Sequence, residues 1–254
     1  MPPGLQLQLI LMGRFALRRG DRELAVPASS QRLIALLALR NRRIGRYEVT
    51  RTLWPDYAAD RSAAVLRTVL WRVNQSSGRL ITASSSALSL ETGVEVDAHN
   101  MVTFARRLAE LEAPGQAADL LPLTVADLAC DLLPDWYDDW VQDERARLLP
   151  TRLQILDNLA RRLSASGRHA DAIHAALVAI RLDPLRENAH QTLIELHLAE
   201  GNRSEAWRHF QRCRRLLREE LGVDPPESMR LLLEQRTGPG MPEAGTWTTH
   251  ALQG

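Results

Sequence analysis

A short motif occurs twice in the C-terminal half of this chain, at an offset of 34 residues. Residues 167–172 read Gly-Arg-His-Ala-Asp-Ala, and residues 201–206 read Gly-Asn-Arg-Ser-Glu-Ala. Each copy ends with an alanine, a small residue that lets neighbouring helices approach closely. An Asp-Pro pair follows each copy, at 183–184 and at 224–225, and proline cannot continue a helix. The repeat therefore predicts stacked pairs of helices in this region.

A period of 34 residues is typical of tetratricopeptide (TPR) repeats, which contribute one helix pair each. Two earlier helices are also predicted, one from Asp97 to about residue 111 and a long one that ends at Ala165. We therefore predict an all-α, TPR-like domain over residues 97–236, followed by a disordered, Gly- and Pro-rich tail at 237–254. The expected core of the repeats comprises Ala172, Leu177, Ile180, Leu193, Leu196, Ala206, Phe210, Cys213 and Leu217.

The first 96 residues follow another pattern. Leucines alternate with polar residues from residue 5 onwards, and the alternation resumes after a turn at 18–23, which predicts a small antiparallel sheet. An apolar helix with a serine N-cap at residues 29–30 comes next. A short helix from Arg46 to Leu53 follows, and then a third helix that Asp60 is expected to cap.

Residues 80–90 predict a β-hairpin with a serine-rich tip, which Val94 and Val96 are expected to extend. The order of sheet, three helices and hairpin is that of a winged helix-turn-helix with an extra antiparallel sheet. The fold class is thus mixed, with an α+β winged helix over residues 1–96 and the helical repeat domain behind it. The third helix takes the place of the recognition helix, and the hairpin that of the wing.

The third helix has two distinct faces. Leu66, Val69, Leu70 and Val73 recur at helical spacing and form an apolar stripe. The other face carries arginine, threonine, tryptophan and asparagine side chains, which suit the base edges of a DNA major groove. On its own this stretch also fits an ordinary amphipathic surface helix. The neighbouring elements favour DNA binding.

The net charge of +1 conceals an asymmetry between the two regions. Residues 1–96 hold 14 arginines and 7 acidic residues, a net charge of +7, whereas residues 97–254 hold 18 arginines and 24 acidic residues, a net charge of −6. A basic first region favours a polyanionic partner such as double-stranded DNA. The chain lacks a run of about 18 apolar residues and a basic signal-peptide start, so we expect a cytoplasmic protein that does not engage a membrane.

Four short stretches resemble the OmpR-type winged helix of the SARP family, the actinobacterial regulators of antibiotic biosynthesis. They are Leu-Ile-Leu-Met-Gly-Arg-Phe at 9–15, Gln-Arg-Leu-Ile-Ala-Leu-Leu-Ala-Leu at 31–39, Leu-Trp-Pro-Asp at 53–56, and Leu-Arg-Thr-Val-Leu-Trp-Arg-Val at 66–73. Residues 134–145, with Trp136, Tyr137 and Trp140 among acidic residues, resemble the bacterial transcriptional activation domain of the same family. The chain departs from the family by Asn74-Gln75 and by its serine wing tip, where cations are usual.

This resemblance implies a sequence-specific transcriptional activator of secondary-metabolite genes. Such a protein would bind promoter direct repeats, with a second copy of itself on the adjacent repeat, and recruit RNA polymerase and its sigma factor. Arg42, Arg43 and Arg46 are candidates for contacts with polymerase or phosphate. The candidate DNA-binding residues are Arg61, Ser62, Arg67, Thr68, Trp71, Arg72, Asn74, Arg79, Ser84 and Ser85.

Other functions have weaker support. A TPR-type adaptor, whose winged helix contacts protein instead of DNA, is the alternative. No catalytic constellation is evident, and every one of the 32 basic residues is an arginine, which removes the lysine of a Walker-type nucleotide site. Glu187-x-x-His190, with His197 nearby, has metal-ligand spacing but no second copy, and we favour a solvated TPR face there. We therefore expect no enzyme activity, no cofactor and no metal.

Two side-chain groups are expected to have structural roles. Cys130 and Cys213, which lack a CxxC pattern, are expected to be buried free thiols. Trp136, Tyr137 and Trp140 fit either a binding patch or a wedge between helices, and we favour the wedge.

Overall fold

The computed structural model describes residues 6–77, 80–110 and 124–237. The strands of this part are β1 Leu7–Ile10, β2 Ala16–Arg19, β3 Arg22–Leu24, β4 Ile44–Gly45, β5 Ile81–Ala83, β6 Ala87–Leu90 and β7 Glu95–Val96. The helices are α1 Ala28–Arg40, α2 Arg46–Leu53, α3 Ala59–Ser77, α4 Asp97–Glu110, α5 Val125–Ala129, α6 Asp139–Ala165, α7 His169–Leu182, α8 Glu187–Ala199, α9 Arg203–Leu221 and α10 Glu227–Thr237.

These elements form two compact units. The first contains the described residues up to Ile155, and the second begins at Leu156, within α6. The predicted domain division after residue 96 stays a prediction. In the structure, α4, α5 and the first part of α6 belong to the same compact unit as the winged helix. The mixed fold class, a winged-helix start followed by a helical domain, is confirmed.

The N-terminal sheet of the first unit has the strand order β3-β2-β1-β7 among the described residues. β1 pairs antiparallel with β2 but parallel with β7, where Leu9 lies opposite Val96. The prediction that Val96 extends the wing was therefore wrong. Leu9 and Val96 are both 1% exposed, and burial of this pair places the last strand beside the first. The sheet is mixed, where a wholly antiparallel one was expected.

Asp97, directly after β7, holds this junction together. Its carboxylate accepts hydrogen bonds from the backbone N–H groups of Leu11, Met12 and Ala98, at 2.7–3.0 Å. Burial raises the pKa of the Asp97 carboxyl above its ordinary value, although these three donors favour the charged form. Asp97 is the first residue of α4 and binds an N–H of its first turn, and the same carboxylate also fixes the end of β1.

The helices of the winged region have the expected order but different caps. α1 begins at Ala28 after Pro27, without a side-chain cap, and Ser30 is 0% exposed. α3 begins at Ala59, so Asp60 lies inside its first turn, where a negative charge still favours the helix N-terminus. α2 spans Arg46–Leu53, as predicted, and β5 and β6 form the predicted hairpin. β4 adds to this hairpin in the order β4-β6-β5 within the described chain.

The segment before α6 is built into the core of the first unit. Leu133 N–H donates to the carbonyl of Leu11 at 2.9 Å, and Gly13 N–H donates to that of Asp131 at 2.7 Å. The Trp136 ring stacks on Phe15 with a centroid distance of 6.1 Å. Arg145 donates to three carbonyls of the same segment, those of Leu132, Leu133 and Trp136.

The aromatic residues of this segment do not behave alike. Trp136 is half-buried, and Trp140 is 5% exposed and packs edge-on against it, at a centroid distance of 6.2 Å. Both are wedges in the core, as favoured. Tyr137 is 84% exposed, so the same expectation was wrong for its ring.

The second unit contains the helical repeats. Gly167 and Gly201, the first residues of the two repeat copies, have φ of 76° and 78°, a conformation that glycine adopts without strain. The predicted core is buried for Ala172, Leu193, Leu196, Ala206, Phe210, Cys213 and Leu217. Ile180 is only partly buried, and Leu177 is 47% exposed because its side chain faces outward from α7. The tail from residue 238 lies outside the described residues.

Two further expectations need correction. Cys213 is buried, but Cys130 is exposed. His190 is not on a solvated face: it is 3% exposed, and its Nδ1 lies 2.9 Å from Nε2 of His209, which is 6% exposed. Among the described residues, no cluster of His, Cys, Asp or Glu side chains is arranged to hold a metal ion. No described helix is long and apolar enough to span a bilayer.

Candidate nucleic-acid interface

Helix α3 is anchored in the core by one face and leaves the other in solvent. Leu66 and Val69 are 2% exposed and Val73 is 0% exposed, which fixes the rotation of the helix about its axis. The opposite face contains a tryptophan at position 71 that is 62% exposed. The other predicted contact residues of that face are also exposed: Arg61, Arg67, Thr68, Arg72 and Asn74.

The arginines on this face differ in how they are held. Within the described residues, Arg67 and Arg72 make no side-chain hydrogen bond or ion pair, so both guanidinium groups can meet a partner without breaking a contact. Arg61 instead lies over the Tyr57 ring, 4.3 Å from its centroid. A cation held over an aromatic face is pre-oriented yet still able to bind an anion.

Ser62 is not one of the exposed residues of this face. It is 4% exposed, and its hydroxyl donates to the carbonyl of Ala59 at 2.9 Å. The Ser62 hydroxyl is thus engaged within its own helix, and the phosphate contact expected at Ser62 stays a prediction. The burial of Ser62 could be predicted from the sequence, because Ser62 precedes Leu66 by four residues and so falls on the buried stripe of the helix.

The hairpin tip is closed by its own serine. Ser84 Oγ both accepts from the N–H of Ala87 at 3.0 Å and donates to its carbonyl at 3.1 Å. The Ser84 hydroxyl thus stabilises the turn, while Ser85 is exposed at the tip. Arg79 lies outside the described residues and stays a prediction.

Arg42 and Arg43, between α1 and α2, and Arg46, the first residue of α2, are engaged to different degrees. Arg42 pairs with Glu48 at 2.6 Å. Arg46 donates through Nε to the carbonyl of Ser84 at 2.9 Å, which ties the start of α2 to the hairpin tip. Arg43 is exposed and has no side-chain partner in the described chain. These three arginines, which the sequence pattern grouped together, therefore differ in their side-chain partners.

A groove of about 580 Å³ lies between α2, the start of α3 and the hairpin tip. Its described lining includes Arg46, Arg51 and Arg67, against a single carboxylate, Asp60. Tyr47, which also lines it, is 74% exposed. This groove joins the predicted recognition face to the wing and gives it a positive character, and we call it the basic groove.

The sequence did not point to Tyr47 and Arg51 as part of this surface. They are four residues apart on α2 and so share one outward face of that helix. The spacing was readable from the sequence, but the approach of that face to α3 depends on tertiary packing.

Comparison with known proteins places the chain in a family. Residues 96–235, more than half of the chain, match the family described as "Bacterial transcriptional activator domain". The chain belongs to this family. Its members are transcriptional regulators and not a class of enzymes. The resemblance to SARP-type activators that the sequence motifs indicated is confirmed.

Two relatives and one solved structure extend the match to the winged region. The regulatory proteins AfsR of Streptomyces griseus and of Streptomyces coelicolor are each 27% identical, over 238 and 243 residues, which is 89% and 90% of this chain. The chain spans only 24% of the length of either relative. Mycobacterium tuberculosis EmbR, solved in complex with a low-affinity phosphopeptide, matches with a TM-score of 0.73 at 18% identity, covering 91% of this chain and 65% of that chain. At this identity the likeness shows the fold alone.

Proposed function

We propose that this chain is a sequence-specific, DNA-binding transcriptional activator. The observation that carries the proposal is the outer face of α3, where the guanidinium groups of Arg67 and Arg72, unpaired within the described chain, stand on a helix whose rotation is fixed by its buried stripe. A rigid helix with unpaired donors loses little freedom when it enters a major groove.

Each exposed residue of that face fits a part of DNA. A guanidinium group donates two parallel hydrogen bonds to O6 and N7 of guanine, and one such pair gives about 1–3 kcal/mol of discrimination. Thr68 and Asn74 have groups that suit adenine or phosphate, and the Trp71 ring suits a thymine methyl group or a sugar. We assign phosphate contacts to Arg61, at the start of α3, to Ser85 at the hairpin tip, and to Arg79, which remains a prediction from the sequence.

The family membership supports a role in activation. The resemblance of the sequence motifs to the SARP family supports regulated genes of secondary metabolism, antibiotic biosynthesis among them. We propose binding to promoter direct repeats, with a second copy on the neighbouring repeat, and recruitment of RNA polymerase with its sigma factor. Of Arg42, Arg43 and Arg46, Arg43 is the one whose guanidinium has no partner among the described residues, so it is available to take part. These roles accord with a cytoplasmic protein.

The test begins with genomic footprinting of the purified protein, which yields a binding site for fluorescence anisotropy. We expect Arg72→Ala to weaken binding to that site by about 1–3 kcal/mol, and to weaken binding to unrelated DNA less. Arg72→Lys keeps the charge but loses the planar fork, so it should lose discrimination while retaining the salt dependence. Arg106→Ala, which removes an exposed arginine of α4, is the matched control.

A salt series separates this proposal from the adaptor alternative. Phosphate contacts make the logarithm of the binding constant fall linearly with the logarithm of salt concentration. An Arg72→Ala protein that keeps full sequence preference contradicts the assignment of α3. Absence of any salt-dependent DNA binding by the wild-type chain contradicts the function itself.

A further inference from the structure

A second groove of the first unit has the opposite character to the basic groove. It has a volume of about 420 Å³ and lies between the connection from α2 to α3, residues 54–57, and residues 137–140 at the start of α6. Tyr57 lines both grooves. The connection between the two helices therefore has a basic groove on one side and this second groove, which we call the acidic groove, on the other.

The carboxylates of the acidic groove are Asp56, Asp138 and Asp139. Arg32 forms an ion pair with Asp138. Asp56 and Asp139 are exposed, and within the described chain neither has a side-chain partner. Two free carboxylates beside one neutralised pair leave this groove negative, although the surrounding region has a net positive charge.

Aromatic rings accompany these carboxylates. Tyr137, which lines the groove, is 84% exposed on the winged unit. A tyrosine ring of this kind attracts a guanidinium or ammonium group placed over its face. Exposed aromatic rings are also enriched where proteins recognise proteins. Carboxylates and an aromatic face together suit arginine or lysine side chains.

Two residues that line the groove also have N–H groups without an acceptor. Trp140 is 5% exposed, and its indole N–H has no hydrogen-bond partner among the described residues. The same holds for Nε of Arg32. Buried donors in folded proteins are normally paired. The carbonyl groups of a peptide accept hydrogen bonds from N–H donors of this kind, whereas a small cation has no acceptor group.

We propose that the acidic groove is a docking site for a basic segment of a partner protein. Arginine or lysine side chains of that segment pair with Asp56 and Asp139 and lie on the Tyr137 ring. Its backbone carbonyls accept from the buried N–H groups of Trp140 and Arg32 when these two side chains shift towards the groove. DNA is unsuited to this groove because its phosphates would meet two free carboxylates. The inference supplies a protein contact for the proposed activator, and it stands apart from the DNA contacts of α3.

The test uses the full chain and short fluorescein-labelled peptides that carry two arginines at varied spacing in an alanine–glycine background. Matched peptides with glutamate in place of arginine serve as negative probes. We expect saturable binding of at least one arginine peptide. Asp139→Asn and Tyr137→Ala should each weaken that binding by about two- to fivefold, the range of an exposed ion pair or cation–π contact.

Asp143→Asn is the matched control, because Asp143 is exposed on the next turn of α6 but does not line the groove. DNA binding is measured in parallel. Asp139→Asn should leave DNA affinity unchanged, and Arg72→Ala should leave peptide binding unchanged. The peptide-docking proposal and the proposed DNA binding can therefore be contradicted independently of each other.

Four results would overturn the proposal. The first is equal peptide affinity in Asp139→Asn and Asp143→Asn, and the second is no saturable binding of any arginine peptide up to about 1 mM. The third is displacement of the peptide by duplex DNA from the wild-type chain, which would assign the groove to the DNA interface. The fourth is self-association, seen by sedimentation velocity, that Asp139→Asn abolishes, since the occupant would then be a second copy of this chain.

Discussion

Glu144 on α6 is the least exposed acidic side chain among those described, at 1%. Its carboxylate lies 2.7 Å from Nε of Arg147 and 3.2 Å from Nη1 of Arg40 on α1. Arg147 also donates to the carbonyl of Leu39 at 3.1 Å. A buried carboxylate is tolerated only when its hydrogen bonds are satisfied. These contacts therefore link the first part of α6 to α1.

We expect Glu144→Gln to lower the free energy of unfolding by about 1–3 kcal/mol, the cost of weakening hydrogen bonds that involve buried charged groups. The measurement is urea denaturation at neutral pH. Glu23→Gln removes a carboxylate that pairs with Arg14 at 2.8 Å on the surface, and this control should leave the midpoint almost unchanged. Equal effects of the two substitutions would contradict the structural role of Glu144.

At the scale of elements, α8 and α9 are joined by the pair of His190 and His209. Nε2 of His190 lies 2.8 Å from the carbonyl of Pro184, which can only accept, so this nitrogen carries a proton. Nδ1 of a neutral His190 then accepts from Nε2 of His209 at 2.9 Å. Burial lowers the pKa of both imidazoles, and burial together with the nearby His190, Arg212 and His197 lowers the pKa of His209 to about 3.

This pair makes the stability of the second unit depend on pH. Because both pKa values lie below the unfolded value of about 6.5, the unfolded chain takes up protons first as the pH falls. The stabilisation is therefore complete above that value and is lost towards the folded pKa of His209, about 3. Between pH 7 and 5 we expect His209 to account for a loss of about 2 kcal/mol, measured as the urea midpoint at each pH.

His209→Gln should flatten this pH dependence, because glutamine can still donate to His190 but does not titrate. His174→Gln, an exposed histidine of α7, is the control and should leave the slope as in the wild type. A pH dependence that is the same in both variants would assign it to other groups.

At the scale of the whole molecule, the first compact unit needs residues far from the winged helix in sequence. Its apolar core includes five large side chains contributed by the segment before α6 and by α6 itself: Leu132, Leu133, Trp140, Val141 and Leu148. Each buried side chain of this size contributes about 1.5–3 kcal/mol. The winged helix is thus covered by a part of the activator domain.

We therefore expect a fragment of residues 1–155 to unfold cooperatively, with the urea midpoint of the first unit in the full chain. A fragment that ends at residue 110 should be less stable by several kcal/mol, unfold at a lower urea concentration and bind the dye ANS, since its apolar core is uncovered. Equal midpoints for the two fragments would show that the segment after residue 124 does not stabilise the winged helix.

The sequence by itself determined the features that depend on local periodicity. It placed α2 at Arg46–Leu53 and the end of α6 at Ala165, and it located the hairpin tip and the repeat turns. It also indicated the outer face of α3, because a buried stripe at helical spacing fixes which side chains remain outside. These properties are set by residues a few positions apart.

Only the tertiary structure decided the contacts between distant residues. It placed Val96 beside Leu9, engaged Arg46 with the hairpin tip, and paired His190 with His209. It also brought residues 54–57 and 137–140 together to form the acidic groove. The physical reason is that strand pairing and side-chain partners depend on which surfaces are buried together, which the local pattern leaves open.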